Sequence, residues 1–182
     1  MPLLTNVLLF QIGWFACVLS GAHGLPWAGT GIALAIVAWH VTRAVRLRQE
    51  LLLVLSAAAI GALFDSLLVA LGWIVYTSGT LMANTTPHWM VALWMLFAMT
   101  LNVSLAWLKR RLFVAVLFGA VGGPLAYLGG SKLGALHFVA PTPALIALAV
   151  GWALCTPLLV MLARRFDGFA HRADTATAVA HV

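Results

Sequence analysis

The chain has 182 residues, of which 64% are hydrophobic and only 8% are Asp, Glu, Lys or Arg. Soluble domains are about half apolar and about a quarter charged, so this composition excludes an ordinary soluble domain and a disordered chain. It indicates an integral membrane protein built from helices. The net charge of +6 lies mainly at the ends of apolar segments. It therefore indicates membrane topology and contacts with anionic lipids rather than nucleic-acid binding.

Six apolar segments are long enough to cross about 30 Å of hydrocarbon at about 1.5 Å of helical rise per residue. They cover residues 3–22, 26–44, 51–76, 87–108, 112–131 and 141–163. The connections between them are too short to hold a soluble domain. The sequence therefore predicts an all-α, polytopic membrane helix bundle of six transmembrane helices over residues 1–166. A polar, flexible cytoplasmic tail is expected over residues 167–182.

The positions of Lys and Arg predict which side of the membrane each connection faces. Nine of these ten residues lie in the second and fourth connections or after the sixth span, and only Lys132 lies elsewhere. The nine are Arg43, Arg46, Arg48, Lys109, Arg110, Arg111, Arg164, Arg165 and Arg172. Because cytoplasmic connections carry the excess of basic residues, both termini are expected on the cytoplasmic side of a bacterial inner membrane.

Asp65 is the candidate catalytic residue, because it is the only acid inside a predicted span and lies near the middle of the third one. A charged side chain there costs about 2.5–3.5 kcal/mol on insertion scales, so it is expected to face the bundle interior. Small residues share its face at helical spacing, including Gly61 and Gly72. Asp65 would serve as a proton carrier, general acid or base, or ligand anchor. The alternative is a hydrogen-bonded carboxyl that only holds helices together.

Four further residues are expected to form a polar site around Asp65. Gln11 on the first span and Asn102 on the fourth are candidate substrate-binding residues, because both are polar within apolar runs. Pro124 follows three glycines in the fifth span, so a kink is expected that opens a site there. Tyr127, one turn later, is a candidate catalytic hydrogen-bond donor. For each of these residues, helix packing is the alternative explanation.

No cofactor or metal site is evident in the sequence. HExxH, P-loop, GxSxG and dinucleotide-binding motifs are all absent, and Cys17 and Cys155 lie apart in apolar runs. His23, His88 and His137 are all expected on the outer side, but they come from three different connections. Their spacing therefore leaves open whether they converge.

Several short motifs resemble a family of small bacterial inner-membrane proteins of unknown function, DUF2878. The motifs are Gln11-Ile-Gly-Trp14-Phe-Ala-Cys-Val, Asp65 in the third span, Gly122-Gly-Pro-Leu-Ala-Tyr127-Leu-Gly-Gly, and Gly151-Trp152 followed by Pro157-Leu-Leu. The resemblance covers nearly the whole chain before residue 166. It implies a polytopic inner-membrane protein without an assigned activity, and membrane lipids and lipid-modifying enzymes as its partners.

Three functions agree with these residues. The first is a role in acyl-lipid modification, as an enzyme or as an accessory subunit, with Asp65 as acid or base. The absence of a redox cofactor motif makes the accessory role at least as favourable as a self-sufficient enzyme. The second is a small proton-coupled transporter, which at six spans would need to form a homo-oligomer to enclose a pathway. The third is a structural membrane subunit whose polar residues only pack helices.

Overall fold

Six α-helices build nearly the whole protein in its computed structural model, which describes residues 2–169. The helices are α1 (Leu3–Ala22), α2 (Pro26–Thr42), α3 (Leu47–Ala70), α4 (His88–Leu101), α5 (Leu112–Lys132) and α6 (Pro141–Arg165). A short 3-10 helix, Ala106–Arg110, lies between α4 and α5. The predicted helical bundle is therefore confirmed. Residues 170–182 of the predicted tail, with Arg172, lie outside the described residues.

Four of these helices, α1, α3, α5 and α6, are long and apolar enough to cross a membrane. This indicates a membrane protein, in agreement with the composition. Helix α4 has only 14 residues, about 21 Å of helical rise, and α2 has 17. Length and composition therefore identify four candidate spans in the described part of the chain, where the sequence predicts six.

The predicted third span ends earlier than residue 76, because the chain turns at Gly72 with a φ of +70°. An L-residue rarely adopts that conformation, so glycine is the favoured residue there. The next residues form β1 (Ile74–Tyr76), which pairs antiparallel with β2 (Leu136–Phe138). This small strand pair joins the end of α3 to the end of α5.

The predicted fourth span also ends early, at Leu101 instead of residue 108. The backbone N–H groups of Val103 and Leu105 both donate to the Thr100 carbonyl and close a turn before the 3-10 helix. Helix α4 is the central element, since eleven of its fourteen residues are buried. It packs against α1, α2, α3 and α6, while α5 packs mainly on α6.

The connections group at two ends of the bundle. At one end, here called the strand end, lie the α1–α2, α3–α4 and α5–α6 connections, joined by hydrogen bonds such as Thr77 N–H to the Ala135 carbonyl (3.0 Å). At the other end, here called the basic end, Arg46 N–H donates to the Gly168 carbonyl (2.9 Å). Of the nine Lys and Arg residues described, only Lys132 lies at the strand end.

Candidate functional site

Asp65 lies on α3, five residues before the helix ends at Ala70. Five residues correspond to about 8 Å of helical rise, so Asp65 is nearer to the strand end than to the middle of its helix. This differs from the mid-span position expected from the sequence, because α3 starts and ends earlier than predicted. The side chain is fully buried.

Three side chains donate hydrogen bonds to the Asp65 carboxylate. Trp94 on α4 donates from Nε1 to Oδ2 (2.7 Å), and Tyr76 on β1 donates from its hydroxyl to Oδ1 (3.2 Å). Tyr127 on α5 donates from its hydroxyl to the same Oδ1. A buried carboxylate is tolerated only where such donors replace water. Asp65 therefore connects α3, α4, α5 and β1 at one point.

A glycine makes room for the Trp94 indole at this point. Gly61 lies one helical turn before Asp65, and a Cβ atom at that position would lie only 2.0 Å from the Trp94 ring. Gly123 on α5 similarly faces the Trp152 ring, which stacks on Trp94 at 4.4 Å between centroids, while Gly119 lies against the Trp152 backbone carbonyl. The glycines thus allow two large rings to pack beside the carboxylate.

A cavity of about 600 Å³ lies between α1, α4 and α5 and is lined mainly by apolar side chains. Tyr127 and Trp94 form part of its wall, and Asp65 lies behind them. Exposed lining side chains on α1 and α5 indicate that the cavity opens at the side of the bundle, between these two helices. Its lining residues Phe15, Phe118 and Leu125 are 47%, 41% and 60% exposed on the outer surface of α1 and α5.

Tyr127 connects the buried carboxylate to the cavity. A tyrosine hydroxyl both donates and accepts a hydrogen bond, whereas an ionised carboxylate only accepts. With Asp65 ionised, Tyr127 donates to it and leaves its oxygen lone pairs for another donor. When Asp65 is protonated, its carboxyl O–H can donate to the Tyr127 oxygen. The Tyr127 O–H is then free to donate to an acceptor in the cavity. The arrangement can therefore pass a proton between Asp65 and a molecule in the cavity.

The other predicted site residues are divided between two places. Gln11 lines the cavity on α1. Pro124 lies in α5, which continues as one helix through it, and its neighbours Gly123 and Leu125 line the cavity. Helix α5 is therefore not interrupted at Pro124, and the kink stays a prediction. Glycines of α5 that line the cavity leave space beside the helix because they lack side chains.

Asn102 does not join the network around Asp65. Its Nδ2 donates to Glu50 Oε2 (2.7 Å) and to the Phe166 carbonyl (3.1 Å), at the basic end of the bundle. Asn102 lies immediately after the end of α4, at the basic end of the bundle. The α4 residue at the level of Asp65 is instead Trp94. Fifteen residues of α3, about 22 Å of rise, separate Glu50 from Asp65.

Glu50 is a second fully buried acid, and sequence reasoning missed it. Its Oε1 lies 2.8 Å from His40 Nε2, and its Oε2 accepts from Asn102 and from the Gly168 N–H at 3.2 Å. The predicted third span began at residue 51, which placed Glu50 outside it, but α3 begins at Leu47. Fifteen residues are about 4.2 helical turns, so Glu50 lies within about 60° of Asp65 around the helix, and this shared side of α3 was the signal that could have found it.

The segment 166–169 closes this second site. Phe169 packs its ring on His40 at 4.9 Å, Gly168 bonds Glu50 as described, and Asp167 Oδ2 lies 2.7 Å from Lys109 Nζ. Residues 167–169, assigned to the tail from the sequence, therefore contact the bundle. Glu50 is covered by protein on this side, whereas Asp65 is separated from a cavity by Tyr127.

The three histidines that the sequence predicts on the outer side lie in separate surroundings. His88 stacks on Trp27 at 3.9 Å and hydrogen-bonds Thr30, while His23 contacts the Leu19 carbonyl of its own helix. His137 is in β2. Within residues 2–169, no group of three His, Cys, Asp or Glu side chains is placed to hold a metal ion.

Together, the fold and the site define a polytopic helical protein of membrane type, with a buried carboxylate beside a sideways-opening apolar cavity. The chain belongs to the family described as Protein of unknown function (DUF2878), whose model matches residues 3–158. The resemblance noted from the short motifs is thereby confirmed. No curated protein and no solved structure matches the chain.

Asp65→Ala is expected to lower the stability of the protein by about 1–3 kcal/mol, because it leaves the buried Trp94 N–H without an acceptor. Asp65→Asn is expected to melt close to wild type. Its Oδ1 can accept from Trp94 while its amide donates to the two tyrosine hydroxyls. Thermal unfolding of the purified proteins in detergent measures both. Equal melting temperatures for the two variants would contradict this account of the network.

Glu50→Ala is expected to release the segment 166–169, because Gly168 and Asn102 lose their shared acceptor. The measurement is limited trypsin cleavage after the exposed Arg164 and Arg165, which should become faster in membranes from the variant. Glu50→Gln is the matched control. Its side-chain oxygen can still accept hydrogen bonds from Asn102 and Gly168, while its amide N–H donates to His40 Nε2. If Glu50→Ala is cleaved no faster than Glu50→Gln, the carboxylate does not hold this segment.

Proposed function

We propose that this protein binds the acyl chain of a membrane lipid in the cavity and takes part in acyl-lipid modification in the bacterial inner membrane. Asp65 would supply or accept a proton through Tyr127. One observation carries the proposal: a mainly apolar cavity opens sideways between α1 and α5, and its wall holds a tyrosine bonded to a buried carboxylate. The protein would act as an enzyme or as the accessory subunit of a lipid-modifying enzyme.

The position of the opening supports a lipid over a water-soluble ligand. Phe15 and Phe118 border it on two helices that are long enough to cross a membrane. A molecule that enters there comes from the surrounding hydrocarbon, where acyl chains are the abundant species. The volume of about 600 Å³ lies within the range of small-molecule sites, about 300–1,000 Å³.

The position of the polar atoms supports an acid–base role. Two wall residues, Trp94 and Tyr127, donate to Asp65, but only a hydroxyl such as that of Tyr127 can both donate and accept a hydrogen bond. Tyr127 is only 4% exposed. In a site without bulk water, proton transfer needs a donor already held in place. The proposed step is proton transfer between Asp65 and the bound lipid by way of the Tyr127 hydroxyl: one O–H bond breaks as the next forms. Gln11 would contact the lipid at the open edge of the cavity.

We also propose that α2 and α4 cross the membrane, with both termini on the cytoplasmic side. The alternation of connections between the two ends of the bundle supports six crossings, and the basic residues gathered at one end support the orientation. Helix α4 is surrounded by protein, so its short length does not expose backbone to lipid.

Single cysteines test the orientation in a background without Cys17 and Cys155. Val45 in the α2–α3 connection and Met82 in the α3–α4 connection are 58% and 70% exposed. A membrane-impermeant maleimide added to spheroplasts should label Met82→Cys but not Val45→Cys until the membrane is opened. Labelling of Val45→Cys alone would reverse the orientation, and labelling of both would contradict the alternation.

A cavity-filling variant tests the function. A side chain at Gly122 would extend into open space beside the cavity, since no atom lies within 4 Å of its ideal Cβ position. Gly122→Leu should therefore fold and exclude the acyl chain. Gly31→Leu is the matched control, because Gly31 has equally open space on α2, away from the cavity. Both changes replace a helical glycine, so both favour helix formation.

Whole-cell lipid mass spectrometry of complemented deletion strains gives the readout, at matched membrane abundance. An acyl species should disappear on deletion and return with wild type and Gly31→Leu, but not with Gly122→Leu or Asp65→Asn. Restoration by all four proteins would contradict the proposal and favour a structural subunit. An unchanged profile on deletion would favour the transporter, which the two buried acids on α3 also support, and proton-coupled uptake in proteoliposomes would then test it.

A further inference from the structure

We infer that the cavity holds the acyl chain in one direction, with its carboxyl end near Tyr127 and its methyl end toward the basic end of the bundle. This inference rests on the proposed acyl-chain binding and adds which part of the lipid meets the proton donor. It also determines the leaflet from which the lipid enters.

The polar character of the cavity wall changes along its length. Tyr127 lies five residues, about 8 Å, from the strand end of α5, whereas Phe118 lies fourteen residues, about 21 Å, from it. At the level of Phe118 the wall includes Phe10, Phe97 and glycines of α5, with Gln11 and Thr100 as its polar members. An ester oxygen placed there would lose its hydrogen bonds to water, which is unfavourable. Beside Tyr127, the hydroxyl can donate to that oxygen when Asp65 is protonated and Tyr127 accepts a hydrogen bond from the acid.

The remaining polar residues of the wall do not reverse this preference. The Thr100 hydroxyl donates to the Phe97 carbonyl at 2.6 Å, so its proton is already used. Gln11 is exposed at the open edge of the cavity. Ser104 lies at the far end toward the basic end, where its backbone N–H donates to Asn6 Oδ1. Trp94 and Tyr127 are both bonded to Asp65, but the indole N–H of Trp94 only donates, so Tyr127 is the one that can exchange a proton with the lipid.

The length of the cavity suits one acyl chain. Its lining on α1 extends from Val7 to Val18, eleven residues or about 17 Å of rise. Half of a hydrocarbon core of about 30 Å is about 15 Å, the depth that the acyl chains of one leaflet fill. Beyond Tyr127, Gly129 and Gly130 line the strand end of the cavity with little side-chain volume, which leaves space for the glycerol-ester region.

In the proposed orientation the strand end faces outward, so the lipid enters from the outer leaflet. Its chain then extends inward along α1 and α5, and the carbons next to the carboxyl group lie beside Tyr127. The substrate class is therefore an outer-leaflet lipid with an ester- or amide-linked acyl chain, and the proton is exchanged near the linkage and not near the methyl end.

Photo-crosslinking tests the direction. The full-length protein is placed in phosphatidylglycerol–phosphatidylethanolamine vesicles that contain one of two phospholipid probes, with a diazirine either beside the carboxyl carbon or at the methyl end of the chain. The carboxyl-side probe should label residues from Tyr127 to Gly130 and around Val18. The methyl-end probe should label residues around Val7 and Phe118. Both labels should be lost in Gly122→Leu and kept in Gly31→Leu.

The outcomes separate this inference from the proposed function. The reversed pattern, or both probes labelling both ends equally, would overturn the direction and leave acyl-chain binding intact. Labelling of the cavity that is no stronger in wild type than in Gly122→Leu would overturn the proposed function itself. The direction and the proposed function are both supported only if the two probes label opposite ends of the cavity as expected and Gly122→Leu loses both labels.

Discussion

The structure depends most on one constraint, the need to satisfy a carboxylate within an apolar bundle. Burying Asp65 alone would be strongly unfavourable, so its oxygens must meet donors from other elements. Trp94, Tyr76 and Tyr127 provide them from α4, β1 and α5. Because each donor must lie within hydrogen-bond distance of Asp65, this single side chain restricts where α4, α5 and β1 can lie along the axis of α3. The glycine at position 61 and the strand pair follow from the same requirement.

Helix α3 carries both buried acids, and each organises one end of the bundle. At the basic end, Glu50 forms hydrogen bonds with His40, Asn102 and the Gly168 backbone. Nearer to the strand end, Asp65 accepts hydrogen bonds from aromatic side chains. About 22 Å separates them along the helix. Between these points α3 packs mainly through small and apolar residues, such as Ala57, Ala58 and Gly61. Specific polar contacts at two levels, and apolar contacts between them, give the bundle a defined register that apolar packing alone would leave loose.

Apolar length and basic residues were sufficient to predict the bounds of most helices. Helices α1 and α5 match within one residue, and α2 and α6 within two, because their ends coincide with charged residues, Pro or Gly. The ends of α3 and α4 differ because a positive φ at Gly72 and a turn at Thr100 stop the helices inside apolar sequence, where hydropathy gives no signal. That Asp65 and Tyr127 would form hydrogen bonds inside the bundle was predictable, because polar groups within apolar spans need partners. Their partners Trp94 and Tyr76 were not, since long-range contacts leave no local pattern.

The two acids differ in what surrounds them, and that difference decides which is the better candidate for chemistry. Glu50 is bonded on both oxygens and covered by residues 166–169, so a ligand would have to displace protein to reach it. Asp65 is equally buried, yet two of its donors, Trp94 and Tyr127, also form part of the wall of an open cavity. A carboxylate needed only to hold helices together would gain nothing from a cavity beside it, since empty space forfeits packing. The cavity beside Tyr127 is therefore the feature that a purely structural role leaves unexplained.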